Sequence, residues 1–209
     1  MTLDVEQTYW NQGFTKIAGV DEAGRGPLAG PVVAAAVMFP MHHRIDGVDD
    51  SKKLSQKKRE ELMGMIGREA VSVGISVVDH TTIDKVNILQ ASTLAMQTAI
   101  GKLSTVPELV LADGNSFHHE SLRFENIIDG DALCFCIASA SIVAKVTRDR
   151  LMLEYDQRYP EYGFARHKGY CTREHVEAIK QHGYCDIHRK TFRLANLDQL
   201  DLEFLVVED

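Results

Sequence analysis

The sequence feature that most constrains the fold is a short apolar strand that leads into two carboxylates and then into a glycine-rich corner. The strand, predicted over residues 16–21, delivers Asp21 and Glu22, and the corner spans residues 23–31. A second apolar strand, predicted over residues 32–39, begins directly after the corner. We therefore expect the two strands to form a hairpin.

Asp21 and Glu22 have the chemistry of metal ligands. Their hard carboxylate oxygens lie beside a main chain that, at Gly24 and Gly26, can approach a phosphate closely. Neighbours on a regular strand point to opposite faces, so both carboxylates can face one ion only if the strand ends there, which the glycines permit. The alternative is an ordinary hairpin corner with two solvated acids.

The rest of the chain alternates strands with helices, which predicts an α/β fold whose central mixed β-sheet is flanked by helices. The further predicted strands are 71–78, 109–112 and 124–128. The predicted helices are 55–68 with Ser55 as N-cap, 88–103, 132–159 before Pro160, and 173–182 with Thr172 as N-cap. Residues 1–15, 81–85 and 163–170 are predicted as a short docking helix, a helical turn and a basic, aromatic loop.

Two further acids follow predicted strands. Asp113 comes after an apolar run typical of a buried strand, and Asp131 follows the next strand along the chain. Because sites in open α/β sheets form at strand ends, we expect both acids to join Asp21 and Glu22. Four clustered carboxylates repel one another without cations and suit two divalent ions, with Mg²⁺ or Mn²⁺ favoured over zinc. The alternatives are a turn residue for Asp113 and a helix N-cap for Asp131.

The net charge of −7, taken alone, argues against nucleic-acid binding, because nucleic-acid-binding proteins are usually basic. Five of the acids lie in residues 194–209, a stretch without Lys or Arg, and the other residues carry a net charge of −2. Basic clusters stand out in that remainder, at Lys52-Lys53, Lys57-Lys58-Arg59, Arg166-His167-Lys168 and His188-Arg189-Lys190. Charge distribution therefore leaves nucleic acid open as a partner.

Membrane insertion and secretion are not indicated. The longest uncharged apolar run, 132–144, stops at Lys145, and the N-terminus lacks a basic region followed by an apolar stretch. The four cysteines, none of which has zinc-finger spacing, are Cys134, Cys136, Cys171 and Cys185. We therefore expect a cytoplasmic protein with reduced thiols and no membrane contact.

The motifs together resemble bacterial ribonuclease HII over residues 16–192. They are Asp-Glu-Ala-Gly-Arg-Gly-Pro-Leu-Ala-Gly-Pro-Val (21–32), Asp-Ser-Lys-Lys-Leu (50–54), Ala-Asp-Gly (112–114), Gly-Asp (130–131), Ala-Ser-Ile-Val-Ala-Lys-Val-Thr-Arg-Asp (140–149) and His-Lys-Gly-Tyr-Cys-Thr (167–172). Ribonuclease HIII carries an extra N-terminal domain, and about 15 residues precede the first strand here, so type HII fits better.

This resemblance implies a ribonuclease-H-like fold and an endoribonuclease that cleaves the RNA strand of RNA–DNA hybrids. It also implies incision 5′ to ribonucleotides embedded in duplex DNA, leaving 3′-hydroxyl and 5′-phosphate ends, with a role in DNA replication and repair. The expected mechanism is phosphodiester hydrolysis with two metal ions. Residues 1–193 are then the catalytic domain, followed by an acidic tail, 194–209.

The resemblance also assigns roles to individual residues. Asp21, Glu22, Asp113 and Asp131 are implied to be catalytic and to bind Mg²⁺ or Mn²⁺. The Gly24-Arg25-Gly26 motif is implied to lie at the ribonucleotide junction, and Tyr170 to stack on the sugar of the next deoxynucleotide. The candidate phosphate contacts are Lys52, Lys53, Arg166 and Lys168.

Neighbouring residues of these motifs have supporting or undecided roles. Lys145, Arg148 and Asp149 are interpreted as ion pairs that support the site. Tyr170 has the alternative of being a half-buried loop aromatic. His167 is interpreted as a substrate or structural contact, not as a proton-transfer group.

The tail departs from this family pattern. Residues 199–204 resemble the short peptide with which bacterial replication and repair proteins bind the DNA sliding clamp. The anchors would be Gln199, Leu200, Leu202 and Phe204. The alternative is that these apolar residues pack on the domain itself.

Two other functions are compatible with parts of the sequence. A junction resolvase would share the clustered acids, but the Gly-Arg-Gly motif paired with Tyr170 indicates ribose selection. A non-catalytic nucleotide-binding module would use the corner as a phosphate cradle, but it gives no reason for Asp113 and Asp131. We expect a monomer, since no apolar stripe outside the tail is left unexplained.

Overall fold

A computed structural model of the chain describes residues 1–192. The strands are β1 (Ile17–Ala23), β2 (Val32–Met38), β3 (Ser72–Val78), β4 (Leu109–Asp113) and β5 (Phe124–Ile127). The helices are α1 (Asp4–Trp10), α2 (Gln56–Glu69), α3 (His80–Val86), α4 (Ile88–Gly101), α5 (Gly130–Leu133), α6 (Phe135–Arg158), α7 (Phe164–His167) and α8 (Arg173–His182), with a 3₁₀ turn at Pro160–Tyr162.

The five strands form one mixed sheet in the order β3-β2-β1-β4-β5. The β1–β2 and β2–β3 pairs are antiparallel, whereas β1–β4 and β4–β5 are parallel. This confirms the predicted mixed α/β sheet and the initial hairpin. Because β1, β4 and β5 run in the same direction, their carboxyl ends meet at one edge of the sheet.

Helices cover both faces of the sheet, so β2, an interior strand beside the central β1, is buried along its whole length. On one face Ala34 and Ala36 pack against α4, and on the other Ala35 packs in a cluster with α2 and α6. A Cβ atom at Gly19 would overlap the main chain of α6 at Cys136. Small side chains therefore let α6 lie close to β1, at the centre of the sheet.

The predicted helix over 132–159 is interrupted. The backbone is extended at Cys134 (φ −121°, ψ 123°), which separates α5 from the 24-residue α6. Glu6 of α1 accepts a hydrogen bond of 2.8 Å from the Cys136 N–H, in the first turn of α6. A carboxylate distant in sequence thus caps α6, and local periodicity could not reveal that break.

Other local predictions were confirmed or corrected. Ser55 accepts a hydrogen bond from the Lys58 N–H, and Thr172 accepts one from the His175 N–H, so both are N-caps. The predicted turn at 81–85 is a seven-residue helix, α3, capped by Asp79. The predicted loop at 163–170 contains the short helix α7.

The cysteine prediction is confirmed, because all four thiols are free. Along residues 1–192, no helix combines the length and the apolar character needed to cross a bilayer. The clamp-peptide anchors Gln199, Leu200, Leu202 and Phe204 lie outside the described residues.

Candidate active site

A cavity of about 380 Å³ opens at the edge of the sheet where β1 and β4 end. All four predicted carboxylates line it, together with the Gly-Arg-Gly motif, Lys52 and Tyr170. Its full lining is Asp21, Glu22, Ala23, Gly24, Arg25, Gly26, Ser51, Lys52, Asp113, Asp131, Ser141, Lys145 and Tyr170. The fold therefore brings most of the predicted site residues into one place.

The sheet topology explains how the acids meet. The parallel pairing of β1 with β4 ends at Val20 and Ala112, so Asp21 and Asp113 follow on adjacent strands. The expectation that β1 ends at Asp21 is wrong, because β1 continues to Ala23 in register with β2. Both Asp21 and Glu22 nevertheless line the cavity, and the Glu22 N–H donates a hydrogen bond of 2.7 Å to Asp21 Oδ1.

The electrostatics of this cavity disfavour unpaired carboxylate charges. Burial raises the pKa of Asp21 well above its usual value, and the charges of Glu22 and Asp113 raise it further. Burial also raises the pKa of Glu22, although the Arg25 guanidinium opposes the rise. The pKa of Asp113 is raised by burial and then by Asp131. A bound cation would remove this penalty.

The donor set fits a hard divalent ion. Glu22 Oε2 is a buried oxygen without a hydrogen-bond partner among the described residues, so its lone pairs are available to a ligand. The donors that Asp21, Glu22, Asp113 and Asp131 present are all carboxylate oxygens, the ligand type that Mg²⁺ and Mn²⁺ prefer. Among residues 1–192, no cysteine or histidine lines this cavity.

Hydrogen bonds and ion pairs hold the rim of the cavity. Lys52 Nζ lies 2.8 Å from Asp131 Oδ2, and this hydrogen bond raises the pKa of Lys52. Ser51 and Ser141, which the sequence analysis did not assign to the site, are joined by a hydrogen bond of 3.0 Å between their hydroxyls. Ser51 belongs to the Asp-Ser-Lys-Lys-Leu motif (50–54), so that motif could have identified it as a site residue.

The Gly-Arg-Gly motif forms one wall of the cavity. Gly24 has a positive φ of 101°, a conformation that favours glycine. Arg25 Nη1 donates to Glu22 Oε1 at 3.2 Å, which links the motif to the carboxylates. A Cβ atom on Gly26 would lie 3.6 Å from the Tyr170 ring, so the motif and the ring are adjacent.

Two histidines missed by the sequence analysis support the main chain at Tyr170. His175 Nδ1 lies 2.9 Å from the Tyr170 carbonyl oxygen, and His175 Nε2 lies 3.1 Å from His188 Nε2. The Cys185 N–H donates to His188 Nδ1 at 2.9 Å. With both rings neutral, His188 donates to His175, which donates to Tyr170. Burial lowers the pKa of each histidine to about 4, which keeps them neutral.

His167 has structural contacts. Its Nε2 lies 2.8 Å from the Tyr162 carbonyl oxygen, and its Nδ1 accepts from the Gly169 N–H. The ring is 9% exposed and is absent from the cavity lining. Of the two roles considered for His167, the geometry therefore favours a structural contact over a substrate contact.

Ion pairs were predicted for Lys145, Arg148 and Asp149 on α6, and two of these three residues form one. Lys145 Nζ lies 2.8 Å from Asp149 Oδ1, one turn along the helix. Arg148 is different, because its guanidinium donates to the carbonyl oxygens of Pro31 at 3.0 Å and Ala29 at 3.2 Å. It supports the glycine-rich corner directly, through hydrogen bonds to main chain.

Three predicted phosphate contacts lie outside the cavity lining. Lys53 Nζ lies 3.9 Å from Asp49, Arg166 pairs with Glu174, and the Lys168 ammonium donates to the Ala165 carbonyl. A long duplex extends beyond one cavity, so their roles stay predictions.

Comparison with known proteins identifies relatives. The sequence model of the family described as Ribonuclease HII matches residues 18–195. Ribonuclease HII of Geobacter metallireducens is 58% identical over 181 residues, which cover 87% of this chain and 85% of the relative. The crystal structure of ribonuclease H2 from Pyrococcus horikoshii OT3 has a TM-score of 0.73 at 27% identity, covering 91% of this chain and 99% of that chain.

A second solved structure has a partner. Ribonuclease HII from Archaeoglobus fulgidus, in a complex with PCNA, has a TM-score of 0.73 at 26% identity, covering 87% of this chain and 96% of that chain. These matches confirm the resemblance and the ribonuclease-H-like fold. They favour it over the junction-resolvase and nucleotide-module alternatives.

Proposed function

This chain belongs to the ribonuclease HII family and is therefore a metal-dependent endoribonuclease acting on RNA–DNA hybrids, and we propose that it also incises duplex DNA 5′ to single embedded ribonucleotides. The products are 3′-hydroxyl and 5′-phosphate ends. The reaction serves ribonucleotide removal during DNA replication and repair. Residues 1–193 are the proposed catalytic domain.

One observation carries this proposal: the four carboxylates, the Gly-Arg-Gly motif and Tyr170 line the same cavity. A centre for hydrolysis without ribose selection would need only the acids. A ribose-selective enzyme also needs groups beside those acids that detect the 2′-hydroxyl, the group that distinguishes RNA from DNA. The motif and the ring line the same cavity as the acids, which supports assigning them this role.

Asp21, Glu22, Asp113 and Asp131 are the proposed ligands of two Mg²⁺ or Mn²⁺ ions. When bound, such ions activate a water and stabilise charge on the leaving 3′-oxygen. The raised pKa values of Asp21, Glu22 and Asp113 indicate that these groups hold their negative charge at a cost until a cation is present. Lys52, which lines the same cavity, is assigned to a contact with a substrate phosphate.

Ribose selection is assigned to the opposite wall. Gly24 and Gly26 have no side chains, so their main chain can reach the minor groove, while Arg25 contacts a phosphate. The flat Tyr170 ring packs on the next deoxyribose, at a position where a 2′-hydroxyl would clash. Lys53, Arg166 and Lys168 contact more distant phosphates of the duplex.

The test uses a DNA duplex with one embedded ribonucleotide, in Mg²⁺ or Mn²⁺. An all-DNA duplex and the Asp113→Asn variant are the controls. Cleavage 5′ to the ribonucleotide, absent from both controls, is the expected result. No cleavage with either ion, in protein shown to be folded, would contradict the proposal.

The tail, 194–209, is proposed to bind the DNA sliding clamp through Gln199, Leu200, Leu202 and Phe204. Support comes from the peptide pattern and from the Archaeoglobus relative, whose structure contains PCNA. Removing residues 196–209 should abolish clamp binding and leave cleavage of short duplexes intact. Undiminished binding after truncation, or none by the intact protein, would refute it. We further propose a cytoplasmic monomer.

A further inference from the structure

Arg189 lies behind the glycine-rich corner and holds it from inside the protein. It follows α8, and 1% of its surface is exposed. Its guanidinium donates to four carbonyl oxygens of the corner, those of Gly24 at 2.5 Å, Arg25 at 2.9 Å, Gly30 at 3.0 Å and Pro31 at 3.3 Å. One side chain therefore ties together both ends of the corner.

These bonds determine which way the peptide groups of the motif point. In a planar trans peptide unit, the C=O and the following N–H point in opposite directions. Because the carbonyls of Gly24 and Arg25 point to Arg189, the N–H groups of Arg25 and Gly26 point away from it. Neither N–H donates a hydrogen bond to any other group in residues 1–192. Arg25 and Gly26 also line the cavity, so these two donors, which have no partner in residues 1–192, belong to residues of its wall.

We propose that Arg189 is a positioning residue for ribonucleotide recognition. It fixes the Gly24 and Arg25 carbonyls so that the N–H groups of Arg25 and Gly26 donate to an oxygen of the ribonucleotide. This inference rests on the proposed cleavage at embedded ribonucleotides. It adds a residue that is absent from the cavity lining and acts only through the main chain it holds.

Arg148 provides an internal comparison. It is equally buried, and its guanidinium also donates to carbonyls of the corner. Those carbonyls belong to Ala29 and Pro31, at the far end of the corner, and not to Gly24 or Arg25. A lysine at either position keeps the charge but loses the planar fork that spans several carbonyls.

The experiment measures ribonucleotide preference separately from catalysis. Ca²⁺ replaces the catalytic ion, and the Kd is measured for a DNA duplex with one ribonucleotide and for the same all-DNA duplex. In Arg189→Lys we expect the preference for the ribonucleotide to fall about tenfold. Affinity for the all-DNA duplex should stay within about twofold, because the phosphate contacts are untouched.

Two control variants separate positioning from general damage. Arg148→Lys should destabilise the protein comparably but lose less of the preference than Arg189→Lys, because its guanidinium lies against Gly24 yet donates to neither carbonyl of the motif. Arg158→Lys, at the exposed end of α6, should alter neither affinity nor stability. Circular dichroism and thermal unfolding verify that each variant is folded at the assay temperature.

A second measurement tests the inference on the wild-type protein and so does not depend on any variant. The ¹⁵N–¹H signals of Arg25 and Gly26 should gain protection from hydrogen exchange with the ribonucleotide duplex, and not with the all-DNA duplex. Unprotected amides, or an unchanged preference in folded Arg189→Lys, would overturn this inference while leaving the cleavage proposal standing. Equal wild-type affinity for the two duplexes would also overturn this inference, and the cleavage assay alone decides the cleavage proposal.

Discussion

Lys52 Nζ lies 2.8 Å from Asp131 Oδ2, so a lysine side chain that is 78% exposed is paired with a carboxylate at the cavity wall. The lysine belongs to the loop before α2, and the carboxylate belongs to α5. A cation bound by Asp131 and the Lys52 ammonium repel each other. The same ammonium is the proposed contact to a substrate phosphate.

Replacing Lys52 by Gln should therefore change two affinities in opposite directions. Mn²⁺ affinity of the free protein should rise several-fold, because a nearby positive charge is removed. Affinity for the ribonucleotide duplex should fall, and the slope of log K against log[salt] should decrease by about one. Titration calorimetry and fluorescence anisotropy measure the two quantities. Lys102→Gln, which alters an exposed lysine bonded to the Ile75 carbonyl, should change neither.

Asp21→Asn should stabilise the metal-free protein while abolishing cleavage. Burial and like charges raise the pKa of Asp21, so a neutral isostere relieves a cost that the anion carries. We expect the Tm in EDTA to rise by a few degrees. Saturating Mn²⁺ should stabilise the wild type more than the variant. Asp46→Asn, at an exposed carboxylate, should leave Tm unchanged, and a lower Tm for Asp21→Asn in EDTA would contradict the prediction.

The His175–His188 pair should make stability depend on pH. Both histidines have a folded pKa of about 4, below the value of about 6.5 expected in the unfolded chain. Their contribution to the free energy of unfolding is fully present above pH 6.5 and is lost as pH falls towards 4. The loss arises because these histidines bind protons in the unfolded chain but stay neutral in the folded chain. The loss should approach ~1.4 kcal/mol per pH unit for each histidine.

The measurement is denaturant unfolding of the wild type and His188→Gln between pH 7.5 and 4.5. The variant should lose less stability over that range, since it has one fewer histidine to protonate. His118→Gln, at an exposed histidine, serves as the control. Parallel pH curves for the wild type and His188→Gln would show that the pair does not carry this dependence.

Tyr170→Leu should reduce kcat/KM on the single-ribonucleotide duplex by about tenfold, because stacking on an aromatic ring is worth ~1–3 kcal/mol. Tyr170→Phe keeps the ring and should stay within about threefold of the wild type. On a continuous RNA–DNA hybrid, where the next sugar carries a 2′-hydroxyl, the loss should be smaller. Tyr155→Leu, at a tyrosine outside the cavity lining, is the matched control. Equal losses on both substrates would contradict the stacking role.

Sequence reasoning located the carboxylates because their positions depend on strand ends. Asp113 follows a short apolar run, and the parallel sheet then sets it beside Asp21. It did not foresee that β1 continues through Glu22, because the pairing partner β2 keeps the strand in register to Ala23. Periodicity identifies elements, but the partners of an element determine where it ends.

The partners of long cationic side chains were the least predictable part. Arg166 bonds to Glu174 and Arg148 to main-chain carbonyls, and nothing in the local sequence distinguishes these choices. The break at Cys134 likewise depends on Glu6. Its carboxylate accepts a hydrogen bond from the N–H of Cys136, which lies 130 residues further along the chain. Such contacts are decided by the assembled fold and not by local propensity.

The contact between Arg189 and Gly24 spans 165 residues, which has a consequence for the order in which the protein is made. Synthesis runs from the N-terminus, so the corner emerges long before the arginine that holds it. Closing so long a loop has a high entropic cost and belongs to the late, slow part of folding. A growing chain can pair β1 with β2 early, but the carbonyls of Gly24 and Arg25 gain the guanidinium that holds them only after residue 189 has been added. On the role proposed for Arg189, discrimination between ribose and deoxyribose would be a property that the nascent chain gains late.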